Sequence, residues 1–222
     1  MRSKQVLMIV TGHGTLGDTG KATGLYLSEL AHPYEVLSKA GHKITIASPA
    51  GGNAPIDPKS ISPELEPFAH LAKNTKSLHS IGPNEYDAYM VVGGHGAMWD
   101  LPENADLQRI IPAAFEQEKI VAAVCHGPAA LTKLKNAHGT LMIAGRKVTG
   151  FTNEEESTAG LAGVMPFLLE DELRNAGAVY LKAPKWQANI VVDGLLVTGQ
   201  NPASAKGVGE AVASLLALSE AK

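Results

Sequence analysis

Short apolar runs alternate with stretches of helical periodicity along the chain, and this alternation limits the folds that it can adopt. Buried strands are predicted at residues 5–11, 43–47, 86–92, 120–124 and 147–151, and helices at residues 23–40, 62–73, 104–118, 126–134 and 167–176. Two short strands, 190–192 and 195–198, flank Asp193-Gly194 and predict a small C-terminal β-hairpin. Such alternation implies right-handed crossovers, so the predicted fold class is α/β, with a mainly parallel sheet sandwiched between helices.

Length and charge narrow the possible functions. The chain has 222 residues, and at this length roughly 70% of the unfolded surface becomes buried, so one domain over residues 1–222 needs no disulfide or structural metal. The formal charge is −3 and no basic run exceeds two residues, which argues against a nucleic-acid partner or a polybasic membrane anchor. The opening apolar run, Val6 to Val10, is too short for a signal peptide or a membrane span, so we expect a cytoplasmic protein.

Three polar or glycine-rich segments follow predicted strands. They are Gly12-His13-Gly14, Gly93-Gly94-His95-Gly96 and Cys125-His126-Gly127-Pro128. In a parallel sheet, ligands bind outside the carboxyl ends of the strands. We therefore expect these segments to converge on a site.

Cys125 is the single cysteine of the chain and follows a buried strand directly. A residue between a strand and a helix, with small neighbours two positions away on each side, matches the geometry of a nucleophile elbow, although Ala123 replaces the usual first glycine. At the start of a helix, free N–H groups and the macrodipole would stabilise a thiolate. The alternative is a buried, inert cysteine.

Gly93 and Gly94 offer bare backbone beside this elbow. Donors at Gly94, together with the His126 N–H, could form an oxyanion hole. The alternative is an ordinary glycine-rich turn between a strand and a helix.

The run Gly12-His13-Gly14-Thr15-Leu16-Gly17 matches the dinucleotide-binding pattern G-x-G-x-x-G. Two features argue against nicotinamide binding. The second strand ends at Ala47-Ser48-Pro49 without an acidic residue, and Asp18-Thr19-Gly20 continues a loop where that pattern requires a helix. We expect no cofactor.

Glu29 lies near the predicted apolar stripe of the first helix, and Pro33, four residues later, should kink or end that helix. Periodicity leaves open whether Glu29 is a solvated residue or a buried general acid or base. No two of the eight histidines are closer than nine residues apart, so we expect no metal site, although ligands from separate segments remain possible. Trp99 and Trp186 are predicted to be packing or pocket-wall residues.

At residues 122–128, Ala-Ala-Val-Cys-His-Gly-Pro, the chain resembles the ThiJ/PfpI superfamily, whose domain is related to class I glutamine amidotransferases. The resemblance spans nearly the whole chain and implies a flavodoxin-like sheet. It is strongest to the glutathione-independent glyoxalases of the glyoxalase III type, also described as heat-inducible chaperones. Supporting segments are Glu29-Leu30-Ala31-His32-Pro33, Trp99-Asp100-Leu101, Thr149-Gly150-Phe151-Thr152 and the run from Val197 to Ser204.

This resemblance implies a Cys125 nucleophile, a His126 partner and a Glu29 carboxyl that touches the sulfur. It also implies that Glu156 orients the histidine, with Glu154 and Glu155 as alternatives one or two residues away. The implied reaction converts a 2-oxoaldehyde such as methylglyoxal to a 2-hydroxy acid, without glutathione or metal. Some members are also described as repairing glycated amines, and the family habit is a homodimer.

Other functions stay open at this point. One is a non-enzymatic stress protein, either a holdase or a redox sensor that uses Cys125. A cysteine peptidase would use the same Cys125 and His126. A glutamine amidotransferase needs His-x-Glu, which none of the eight histidines provides. Residues from Ser62 to Lys73 could form a lid or a dimer surface.

Overall fold

A parallel sheet forms the centre of the protein. The computed structural model describes residues 3–219, and within that range the strands are β1 (Gln5–Ile9), β2 (Lys43–Ser48), β3 (Lys76–Ser77), β4 (Ala88–Val91), β5 (Ile120–Val124), β6 (Lys147–Val148), β7 (Val179–Tyr180), β8 (Ile190–Asp193) and β9 (Leu196–Gly199). Seven of these strands form one sheet in the order β3-β2-β1-β4-β5-β9-β8. Only the β8–β9 pair in that sheet is antiparallel, so the predicted mainly parallel α/β fold is confirmed.

The central strands are apolar along their whole length. Every residue of β4 and β5 is buried, as are Val6 to Ile9 of β1. A parallel sheet is covered on both faces, which explains why these strands are continuous apolar runs rather than alternating ones. Because β1, β4 and β5 are mutually parallel, the segments that follow them lie at one edge of the sheet.

Helices cover this sheet. They are α1 (Leu27–Lys39), α2 (Ala97–Asp100), α3 (Ala105–Glu116), α4 (Asn153–Thr158), α5 (Leu169–Asn175) and α6 (Ala205–Leu218). Helix α1 packs on α6, and β5 contacts both α3 and α6. Within residues 3–219, no helix has the length and apolar character required to cross a membrane.

Helix α1 departs from its prediction at both its start and its proline. It begins at Leu27 rather than at residue 23, because the preceding segment is extended and Leu25 pairs with Ile56. Pro33 was expected to kink or end the helix, but regular structure continues to Lys39. Pro33 is buried, and a side chain at Gly209 of α6 would come within 2.8 Å of its Cα. Close packing on α6 therefore supports the helix on both sides of the missing N–H.

The prediction of an α-helix over residues 62–73 is wrong. The Ser62 hydroxyl donates to Glu64 instead of capping a helix, and a 3₁₀-helix spans Glu66–Ala72. The helix predicted at 126–134 is likewise a 3₁₀-helix, Gly127–Leu131, and the strand predicted at 147–151 ends at Val148. Asn104 caps α3, the helix predicted over residues 104–118, and its side chain accepts from the Leu107 N–H at 3.0 Å.

Two features near the C-terminal half were not predicted. Helix α4 begins at a capping box in which Thr152 and Glu155 satisfy each other's backbone N–H groups. Strands β6 and β7 form a separate parallel pair.

The predicted C-terminal hairpin is present, but its turn is Gly194-Leu195, because Asp193 pairs with Leu196.

Candidate active site

Cys125 sits at a strained turn at the end of β5. Its φ is +60°, a left-handed conformation that residues with a side chain rarely adopt. Cys125 is also buried. A side chain at Gly127 would come within 2.5 Å of the Val91 carbonyl oxygen, which explains the small residue two positions after Cys125. The geometry is that of an elbow that holds one side chain at the edge of the sheet.

The predicted stabilisation of a thiolate by a following α-helix is not borne out. The segment after His126 is a 3₁₀-helix of five residues, Gly127–Leu131, too short to carry a sizeable macrodipole. Burial raises the pKa of Cys125 well above its usual range, and the nearby Glu29 carboxyl raises it further. The resting sulfur is therefore a thiol that needs a base.

Glu29 is fully buried on α1 beside that sulfur. The groups nearest to its carboxyl are the Cys125 thiol and the Gly93 backbone, yet neither carboxyl oxygen has a well-formed hydrogen bond within residues 3–219. Burial raises the pKa of Glu29 to about 8, and the Cys125 and Gly93 contacts only partly oppose this effect. Of the two alternatives that periodicity left open, the solvated one is excluded, and the carboxyl is protonated at neutral pH.

His126 lies between the sulfur and Glu156. Its Nδ1 is 3.5 Å from the Cys125 Sγ, and its Nε2 is 2.6 Å from Glu156 Oε2. Burial lowers the pKa of His126, and the neighbouring His95 lowers it further. The imidazole is therefore neutral at neutral pH and can accept the thiol proton at Nδ1 while it donates from Nε2.

Glu156 is the only one of the three consecutive glutamates that contacts His126. Glu154 is 3.8 Å from Lys185 at the surface, and Glu155 bonds to other groups. Burial alone would raise the pKa of Glu156, but His126 and His95 together lower it to about 2. Glu156 is therefore a carboxylate that fixes the tautomer and ring orientation of His126.

His95 completes this group, although the sequence assigned it no role. Its Nε2 is 2.8 Å from Glu156 Oε1, and its ring centroid is 4.2 Å from that of His126. The indication in the sequence was its place directly after β4, which is adjacent to β5. Neighbouring parallel strands bring their following residues together at one edge.

A cavity of about 200 Å³ opens above the sulfur. Its lining includes apolar and aromatic side chains, two lysines at the rim and the backbone of the elbow: Leu16, Lys21, Ala22, Tyr26, Asp57, Lys59, Gly94, His95, Cys125, His126, Phe151, Ala159, Leu161, Trp186 and Pro202. Neither the Gly94 nor the His126 N–H bonds to another backbone or side-chain group within residues 3–219. Both predicted oxyanion-hole residues thus lie on the cavity with free donors.

The first glycine-rich segment does not reach the cavity as expected. The Gly12 N–H and the Thr11 hydroxyl both bond to Asp100, at 2.7 and 2.6 Å, and close this loop against α2. The contribution of the loop comes from Leu16 and Lys21. No helix begins at Gly17, since the next one, α1, starts only at Leu27, so the dinucleotide-binding pattern lacks its structural context.

Among residues 3–219, one set of side chains could hold a metal ion. Ligand atoms of His95, His126 and Glu156, which come from three separate segments, lie within 4.8 Å of one another. Both imidazole Nε2 atoms already bond to the two Glu156 oxygens, so an ion would have to replace these hydrogen bonds. That the site works without metal remains a prediction.

Comparison with known proteins places this geometry in a family. The model of the DJ-1/PfpI family matches residues 21–214. The chain belongs to the DJ-1/PfpI family. Within that family it is 33% identical to "Glyoxalase 3" of Candida albicans, over 94% of this chain and 96% of that protein.

Solved structures of two DJ-1/PfpI-like chains agree with the fold described above. The crystal structure of glyoxalase III from Candida albicans matches with a TM-score of 0.88 and 32% identity, over 95% of this chain and 96% of that one. The Rapid Encystment Protein 24 KDa of Francisella tularensis matches with a TM-score of 0.88 and 39% identity, over 95% and 98%. The similarity therefore extends over nearly the whole length of each chain.

Proposed function

We propose that this protein is a glutathione-independent glyoxalase, a lyase of the glyoxalase III type that converts methylglyoxal or a related 2-oxoaldehyde to a 2-hydroxy acid. The observation that carries the proposal is the position of the Cys125 sulfur between a protonated carboxyl, Glu29, and a neutral imidazole, His126. The relatives named as glyoxalases, aligned over more than nine-tenths of the chain, support it.

The first step joins the sulfur to the aldehyde carbon. His126 Nδ1 accepts the thiol proton as the sulfur attacks, and Glu29 protonates the aldehyde oxygen. The product is a hemithioacetal, a Glu29 carboxylate and a protonated His126, which the Glu156 carboxylate stabilises through Nε2. Proton transfer during attack is required because the resting sulfur is a thiol.

The next steps move hydrogen between adjacent carbons. The Glu29 carboxylate takes the proton from the former aldehyde carbon, and His126 protonates the ketone oxygen, which gives an enediol. Glu29 returns its proton to the second carbon while His126 takes one from the first hydroxyl, so the first carbon becomes a thioester. Water then attacks the thioester carbon while Glu29 takes one of its protons, and the protonated His126 gives its proton to the departing Cys125 sulfur. The 2-hydroxy acid is released, and the thiol, the carboxyl and the neutral imidazole are restored. One carbon is oxidised and its neighbour reduced, so the reaction needs no external redox partner.

Negative charge that develops on the first oxygen would be held by backbone donors. Gly94 and His126 line the cavity, and their N–H groups are free of other partners within residues 3–219. Fixed donors of this kind stabilise a developing oxyanion without reorganisation.

Turnover by the purified protein tests the proposal. Methylglyoxal is incubated with the protein in EDTA, without glutathione, and lactate is followed by NMR beside a Cys125→Ser blank. Lactate formation that depends on Cys125 supports the proposal. A holdase or a redox sensor would consume no methylglyoxal, so absence of turnover in wild type would contradict it.

Finer expectations belong to the same proposal. We expect a homodimer, which light scattering tests, a cytoplasmic location, and a single domain over residues 1–222, which limited proteolysis tests. Protein-repair or holdase activity under stress would be additional functions. Suppression of aggregation by the Cys125→Ser variant would separate a holdase role from catalysis.

A further inference from the structure

Trp186 lies at the rim of the cavity in an unusual conformation. Its φ is +67°, and the residue is 44% exposed although it belongs to the cavity wall. The indole centroid is 5.7 Å from that of Phe151, whose own ring is 4.4 Å from His126. A large apolar side chain that stays in water, on a backbone that is costly to adopt, needs a structural cause.

That cause is the buried carboxylate of Glu155. Its Oε2 accepts hydrogen bonds from the Trp186 N–H at 3.1 Å and from Asn201 Nδ2 at 2.9 Å. Its Oε1 accepts from Gln200 Nε2 at 3.0 Å and from the Thr152 N–H at 3.1 Å. Four donors satisfy both oxygens, so this carboxylate is a rigid anchor with a hydrogen bond to the backbone of Trp186.

The same amide groups hold the rest of the segment 183–187, which we call the tryptophan loop. Gln200 accepts from the Ala183 N–H at 2.9 Å and donates to its carbonyl at 3.2 Å, and Asn201 donates to the Gln187 carbonyl at 2.7 Å. The loop is therefore fixed at both ends and in the middle. Glu155 is adjacent to Glu156 on α4, so its hydrogen bond to Trp186 holds the tryptophan loop close to the group formed by Cys125, His126 and Glu156.

The cavity is larger than the smallest oxoaldehydes require. A dry apolar cavity of roughly 150 Å³ accepts a benzene ring, and the cavity here measures about 200 Å³. Hydrogen or methyl beside the dicarbonyl group would leave the Phe151, Leu161 and Trp186 side of the cavity without contacts. A flat ring would cover these side chains and stack near the indole.

We propose that Trp186, positioned by Glu155, is the specificity-determining wall of the cavity and selects 2-oxoaldehydes that carry a flat apolar ring over those that carry hydrogen or methyl. This inference rests on the proposed function and names its substrate class. Glu155 acts through the tryptophan loop and is a positioning residue.

The experiment compares kcat/KM for phenylglyoxal and methylglyoxal. Wild type should favour phenylglyoxal by about tenfold, which is the scale of one aromatic contact together with the apolar surface that it covers. Trp186→Ala should lower that ratio by about tenfold, whereas Trp186→Phe should retain most of it. Alanine and tryptophan both carry a Cβ, so the backbone cost at this φ is the same in both proteins.

Leu181→Ala is the matched control, since Leu181 is 41% exposed near the loop and does not line the cavity. It should leave the ratio unchanged. Glu155→Gln should lower the ratio as Trp186→Ala does, and the double variant should lower it no further, because both changes remove one wall. In a Trp99→Phe background, Trp186 is the single tryptophan, and mandelate should quench its fluorescence more than lactate does.

The outcomes separate the two proposals. Turnover of both aldehydes with a ratio that Trp186→Ala leaves unchanged overturns the specificity role and leaves the glyoxalase function standing. Absence of turnover in wild type overturns both. If Glu155→Gln does not fold, the comparison of Trp186→Ala with Trp186→Phe still decides the role of the indole.

Discussion

Two carboxyl groups flank the Cys125–His126 pair, and their environments are opposite. Glu29 is buried without a well-formed hydrogen bond, and its pKa rises to about 8. Glu156 is also buried but accepts hydrogen bonds from two imidazoles, and its pKa falls to about 2. Burial raises the pKa of both groups, so the electrostatic interaction and the hydrogen bonds of the two imidazoles beside Glu156 decide which carboxyl keeps its proton.

The difference assigns separate tasks to the two sides. A carboxyl that titrates near pH 8 can give and take a proton during turnover at neutral pH. A carboxylate with a pKa of about 2 cannot, but it can hold a histidine in one tautomer. When the environments of two neighbouring carboxyl groups shift their pKa values in opposite directions, the one with the raised pKa is the candidate acid and the other stays ionised.

Removal of the sulfur on which both sides act should have the largest effect. Cys125→Ser is nearly isosteric, but a hydroxyl is far less acidic than a thiol, so turnover of methylglyoxal should fall by more than about 10³-fold. Circular dichroism should show an unchanged fold. Activity within about tenfold of wild type corresponds to only ~1.4 kcal/mol of barrier and would exclude Cys125 as the nucleophile.

Glu29→Gln should remove the exchangeable proton of the buried carboxyl beside Cys125. The amide keeps the shape of the carboxyl but cannot exchange its proton, so kcat should fall by about 10²- to 10⁴-fold. In wild type, kcat/KM should decline as the pH rises through about 8, because Glu29 then loses the proton that it donates. An unchanged rate in the variant would make Glu29 a structural residue.

The same substitution should alter stability with a defined sign. The unfolded carboxyl loses its proton near pH 4.5, whereas the folded one keeps it to about 8, so the stability of wild type falls across this window. Glutamine does not titrate. The advantage of Glu29→Gln in free energy of unfolding should therefore grow with pH by up to about 3 kcal/mol at pH 7.

Urea unfolding at pH 5, 6, 7 and 8 measures this difference. Glu154→Gln is the control for replacement of a glutamate by glutamine, because Glu154 is the exposed member of the run Glu154-Glu155-Glu156. A difference that stays constant with pH would mean that Glu29 ionises in the folded protein as it does in the unfolded chain.

Substitutions of Glu156 and His95 should have the smallest effects on kcat, and they test the side of the site that holds His126. Glu156→Gln should lower kcat by about 100-fold, because the amide can present an N–H to His126 and disturb its tautomer. His95→Gln should cost at most about tenfold, since His95 bonds to Glu156 rather than to the sulfur. Equal losses in the two variants would indicate that His95 itself contacts the substrate.

The sequence predicted the acidic side of the site less well than the elbow. Cys125 was found from a strand followed by small residues, and the glycines after β4 from their place at a sheet edge. Glu29 could be a solvated or a buried residue by periodicity alone, and only the resemblance to a known family favoured the second. The choice of Glu156 among three glutamates likewise came from the resemblance.

Some misses had a detectable pattern and others had none. Thr152 and Glu155 form a Thr-x-x-Glu capping box that predicts the start of α4. Trp186 lies on the cavity wall, which is one of the two roles predicted for it, but its anchoring had no such pattern, because that depends on Glu155, Gln200 and Asn201 from two other segments.

Local sequence patterns predicted most of the strands and helices, the parallel sheet and the edge at which the Cys125 site lies, because apolar periodicity and turn residues act over a few neighbouring positions. Tertiary structure alone decided the ionisation of Glu29 and Glu156, the pairing of His95 with Glu156 and the anchoring of Trp186. These properties depend on burial and on donors that come from distant segments. Desolvation and hydrogen bonding act through space, so the same residue type, glutamate, keeps its proton on α1 and is an anion at Glu156 on α4.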